Sequence, residues 1–89
     1  MRSVWKFPIP VGSLSTVEMP RGAKILHVAC QYGKDLTLWA EVDTEAEEEV
    51  RHIAVFGTGH QMTDEWTHHF IGTVLLNGGA LVLHVYEIK

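Results

Sequence analysis

Residues 24–42, KILHVACQYGKDLTLWAEV, decide the fold. Two arms of alternating character flank a turn at YGKD (32–35). On the first arm Leu26, Val28 and Cys30 form the more apolar face, with Ile25, His27, Ala29 and Gln31 opposite. On the second, Leu36, Leu38, Ala40 and Val42 point one way while Thr37, Trp39 and Glu41 point the other. A period of two belongs to a strand buried on one face, so the segment predicts a β-hairpin.

Working outward, the acidic run EVDTEAEEEV (41–50) lacks a sustained apolar stripe, and its residues 43–50 read as an exposed loop. RHIAVFG (51–57) is a third strand, with Ile53 and Val55 facing the core and His52, Ala54 and Phe56 on the reverse. TGHQMTDEWTH (58–68) is a long connection. HFIGTVLL, NGG and ALVLHVYEI (69–88) form a second hairpin, whose turn needs the positive φ that Asn77, Gly78 and Gly79 supply. Apolar residues on both parities of ALVLHV predict burial on both faces, and Gly72 predicts a bulge or close packing against an aromatic ring. SVWKFPIP (3–10) reads as an edge strand weakened by Pro8 and Pro10, and STVEMP (15–20) as a short strand closed by Pro20. Short strands, frequent turns and no helical stripe predict an all-β chain, one antiparallel sandwich or barrel-like domain of about six or seven strands spanning residues 1–89.

Composition narrows the function. Eighty-nine residues make one domain of marginal core, and Cys30, the single cysteine, excludes an intrachain disulfide. In its apolar run Cys30 reads as a small buried hydrophobe of a reducing compartment. Self-association is the stabiliser left to such a chain, so at least a homodimer is expected. The N-terminal stretch has neither an apolar core nor a cleavage motif, and no run suits a membrane helix, which leads to the expectation of a cytoplasmic protein. The formal net charge of −4 disfavours general nucleic-acid binding, which needs a basic stripe.

FGTGH (56–60) is the one motif with site character. Gly57 and Gly59 allow successive amides to share a concavity, an arrangement that binds anions, while Thr58 adds a hydroxyl and His60 an imidazole. The competing reading is a glycine-rich turn at a strand end, because neither dinucleotide nor P-loop spacing is present. Trp66 can stack on a flat ligand; Trp5 and Trp39 are further aromatic platforms or covers of the core edge. His68 and His69 are adjacent and face opposite sides of a strand, and His27, His52 and His84 are dispersed, so no metal is expected; His84 reads as a satisfied core or interface histidine. Ser13, Ser15 and Cys30 lack a nucleophile-elbow context, and the acidic run offers nothing to tune a carboxylate, so the chain is read as no enzyme and as needing no cofactor.

WKFPIPV (5–11), VEMPRGAKILHV (17–28), LWAEVD (38–43), FGTGH, FIGT (70–73) and NGGALVLHVYE (77–87), in this order, resemble a family of small bacteriophage-encoded proteins known as a domain of unknown function. The resemblance implies a phage product acting on its host in the bacterial cytoplasm; it transfers no catalytic residue. With the glycine–histidine loop it leads to the expectation of a non-enzymatic accessory protein. Such a protein would sequester a small phosphorylated ligand, such as a nucleotide-derived immune signal, at a subunit junction. Gly57, Thr58, Gly59 and His60 would hold phosphate and Trp66 would stack. The alternative is an inhibitor that docks Glu45, Glu47, Glu48 and Glu49 on a basic host nuclease or regulator. A third reading is a minor structural phage protein with no ligand.

Overall fold

In the computed structural model, which describes residues 1–89, the segment at 24–42 is strand β3 (Lys24–Gln31) turning antiparallel into β4 (Asp35–Asp43). Around it lie β1 (Arg2–Pro8), β2 (Ser15–Pro20), β5 (Glu48–Gly57), β6 (His68–Leu76) and β7 (Leu81–Ile88). They form two antiparallel sheets, ordered β1-β4-β3 and β2-β5-β7-β6. The all-β architecture and the seven strands agree with the sequence reading.

The core follows from alternation. Leu36, Leu38, Ala40 and Val42 of β4 meet Ile53 and Val55 of β5 and Leu83 and Val85 of β7, all buried, with Met19 filling the space beside them. β3 packs against β6 and β4 against β2, which stacks the sheets into a sandwich about 16 Å along its shortest axis. At the β6–β7 turn Asn77, Gly78 and Gly79 have φ of 51°, 65° and 95°, the left-handed conformation those residue types tolerate.

Several expectations change in detail. Leu26 is not on the core face: the register shifts between Ile25 and His27, so Leu26 is an extra, outward residue, 49% exposed, and Ile25 packs against the core instead. The acidic run is not all loop, because β5 already begins at Glu48; a longer ladder with β2 satisfies backbone groups that a loop would leave to water. Gly72 does follow a bulge, centred on Ile71, but its close neighbour is aliphatic: a Cβ there would lie 2.8 Å from Val28 Cγ1 of the opposite sheet. β7 is buried on one face only. Leu83 and Val85 are interior, whereas Val82, His84, Tyr86 and Ile88 are half-buried on an open face. On that face Ala54 and Phe56 are nonetheless buried. Phe56 is overlaid by His68 and Tyr86 at ring distances of 5.9 and 6.0 Å. Cys30 is half-buried against the core.

Candidate functional site

The loop after β5 bonds mainly to itself. The His60 N–H donates to Gly57 O (3.1 Å), closing a turn whose third residue, Gly59, has φ of 86°. The Gly57 N–H in turn donates to His60 Nδ1 (3.2 Å). This lays the imidazole on Gly57, where a Cβ would stand 2.9 Å from His60 Cε1. Thr58 Oγ1 bonds His84 Nε2 (2.8 Å), and His84 Nδ1 bonds Thr73 Oγ1 (3.0 Å), so His84 is satisfied at both nitrogens. Only the Thr58 and Gly59 amides are left for an outside anion. Gly57, Thr58 and His60 line a cavity of about 230 Å³ with Ala80–Val82. Trp66 lies apart from it, its ring 6.1 Å from that of His68, in the aromatic cluster with Phe56, Phe70 and Tyr86.

The other residues weighed from sequence are dispersed. His27 sits beside Trp39 at 6.2 Å, and no three metal-ligating side chains converge. In the acidic turn Glu45 accepts from the N-terminal amine (3.2 Å) and Glu49 from the Gly22 N–H (3.0 Å), leaving the carboxylates of Glu47 and Glu48 exposed and without a partner.

A different place gathers charge. Where β2 passes into β3, a cleft of about 430 Å³ opens between the sheets. Ala23 and Ile25 form one wall, His69 and Ile71 the other, with Arg51 and Glu87 also lining it. Arg51 and Glu87 share the inward parity of Ile53 and Val85, two residues along each strand, so alternation itself drives both into the interior. There they pair: Arg51 Nε donates to Glu87 Oε2 and Nη2 to Oε1 (2.9 Å), while Nη1 donates to Ala23 O (2.8 Å). Their side chains are only 13% and 9% exposed. Burial opposes ionisation of Glu87, but the Arg51 hydrogen bonds, with Arg51, Lys89 and His69 nearby, outweigh it and hold the carboxyl below its usual range.

The guanidinium carries five N–H donors, three of them used in these bonds. The nearest other carboxylate, Glu49, is 3.9 Å from Nη1. Lys89 and His69 border the cleft, and Lys24 stands at its mouth beside its cross-strand neighbour Glu41. Three of the chain's seven lysines and arginines (Lys24, Arg51, Lys89) thus line a cleft that takes one of its eleven acids (Glu87). The arrangement suits a small anion: an oriented cation at the floor, mobile cations at the rim, and Ile25 and Ile71 for apolar contact. Sequence inspection missed it because Arg51, His69 and Glu87 are far apart in the chain. The available signal was two charged residues on the core parity of their strands.

A family model described as "Domain of unknown function (DUF7352)" matches residues 1–89. No curated protein and no solved structure matches the chain.

Proposed function

We propose, for a chain that belongs to the DUF7352 family, a non-enzymatic role: binding and sequestering a small phosphorylated ligand in the cleft above Arg51. One observation carries this reading. In a protein of net charge −4, the cleft concentrates Lys24, Arg51 and Lys89 around a guanidinium that is already oriented. Glu87 occupies the Nε–Nη2 edge of the guanidinium and fixes it, so an incoming anion meets an already oriented cation with no large conformational change to drive. His69 offers a ring N–H in either tautomer. The phage resemblance directs the ligand class toward nucleotide-derived signals of an infected bacterial cell.

Calorimetry with inorganic phosphate and with cyclic and linear nucleotides tests this. The parent protein is expected to bind at least one, and His69→Ala to weaken that binding roughly tenfold to a hundredfold, the loss of one charge-assisted hydrogen bond. His60→Ala is expected to leave it unchanged. Failure of the whole panel to bind overturns the reading; loss at His60 with indifference at His69 moves the ligand to the glycine loop. Binding to a basic host protein that is lost on neutralising Glu45, Glu47, Glu48 and Glu49 would favour the inhibitor instead.

A further inference from the structure

At the opposite end of β3 the chain accepts backbone strain for a side chain that packs on almost nothing. Residues Gln31–Lys34 close the β3–β4 hairpin through a Lys34 N–H to Gln31 O bond of 3.2 Å, with φ of 57° at Tyr32 and 73° at Gly33. Positive φ at both central positions is the type I′ geometry that matches strand twist, and asparagine, aspartate or glycine adopts it at least cost. Tyrosine is a disfavoured occupant of the first position. Its ring does not repay the strain by burial, since Tyr32 is 77% exposed. Over the ring stands Lys6, whose Nζ lies 5.8 Å from the ring centroid and also donates to Gln31 Oε1 at 3.1 Å.

The ring stands at the edge of a second cleft, of about 410 Å³. Pro8, Ile9 and Leu36 give it an apolar floor; Lys6 and Lys34 lie at its rim, opposed by the single carboxylate of Asp35. An exposed aromatic in a strained conformation, beside two cations and over an apolar floor, has the composition of a small-molecule site: much apolar surface with few placed charges.

We infer that this cleft binds a planar aromatic ring carrying an anionic substituent, the ring stacked on Tyr32 and the anion held by Lys6 and Lys34. The site is independent of the cleft above Arg51, with β3 between them. Lys6 is held in place by Gln31 before the ligand arrives, and Tyr32 is displayed by a turn too tight to fold it away.

Phenyl phosphate is the probe, titrated into the labelled protein while amide and aromatic NMR shifts are followed. Shifts are expected at Gly33, Lys34 and the Tyr32 ring, saturating with concentration, and smaller with inorganic phosphate or phenol alone. Tyr32→Asn supplies the decisive variant, because it relieves the turn while removing the ring. It is expected to raise the melting midpoint by about 3 °C and weaken phenyl phosphate on the order of tenfold, whereas Tyr32→Phe keeps binding. Lys6→Met is expected to weaken it comparably without unfolding the chain. Perturbations confined to Gly22, His69 and their surroundings, or unchanged affinity in Tyr32→Asn, would overturn the inference.

Discussion

Arg51 and Glu87 show how little a buried ion pair need contribute to stability while fixing a site. Removing charge from water costs several kcal/mol per ion, and mutual attraction roughly returns it; removing one partner strands the other. Arg51→Met or Glu87→Leu alone is therefore expected to cost about 3 kcal/mol in urea unfolding, a large fraction of the roughly 5–15 kcal/mol typical of a domain. The double variant should recover most of that loss, as an apolar pair of similar volume, yet lose the anion affinity proposed above. A double variant as unstable as the singles would show that the pair is needed for folding itself. Acid should act on the same pair. The native Glu87 carboxyl sits below its ordinary value of 4.5, so its share of stability is fully present above that pH and lost as pH falls through the lowered native value. Half-buried Glu41 and Asp43 are shifted the same way by Arg2 and by the Glu45 N–H respectively. Denaturation midpoints measured from pH 7 down to pH 2 should decline below about pH 4.5, and less steeply in the double variant.

Among the elements, β3 and β6 show what alternation can and cannot reveal. β4 is legible on its core face, since Leu36, Leu38, Ala40 and Val42 keep strict period two and all are buried, although Thr37 on the reverse is buried as well. β3 is not, because its extra residue is itself apolar: Leu26 resembles a core residue, and only pairing with β4 shows that Ile25 and Val28 hold the interior. Ile71 hides the β6 bulge the same way. Gly72 was readable as a special position, but its reason lies across the sandwich in Val28, beyond the reach of any local pattern. Gly72→Ala is expected to destabilise by about 1–3 kcal/mol, because a methyl 2.8 Å from Val28 Cγ1 forces the sheets or the valine to shift. Adding Val28→Ala should return part of that loss in chemical denaturation. If the two substitutions are strictly additive, the contact is not the cause.

For the whole molecule, the candidate site lay beyond sequence reading because it exists only where two sheets meet: Ala23 from the β2–β3 link, Arg51 from β5, His69 from β6 and Glu87 from β7. The glycine loop was visible because it is contiguous, and the internal bonding of His60 was not. Self-association is expected through the outer face of the β2-β5-β7-β6 sheet, where Val50, Phe70 and Leu75 are exposed. Light scattering should give about twice the 10.0 kDa chain mass, and Leu75→Ser should lower it; a concentration-independent 10.0 kDa excludes the dimer. The sheet margins bear on a different fate. A sandwich has four outermost strands, and here two end on a proline, β1 at Pro8 and β2 at Pro20, while two carry a bulge, β3 at Leu26 and β6 at Ile71. A missing amide or an extra residue denies an incoming strand the continuous ladder that fibril growth requires. Fibril growth from the folded chain is therefore expected to be slow, which thioflavin fluorescence of the concentrated protein checks.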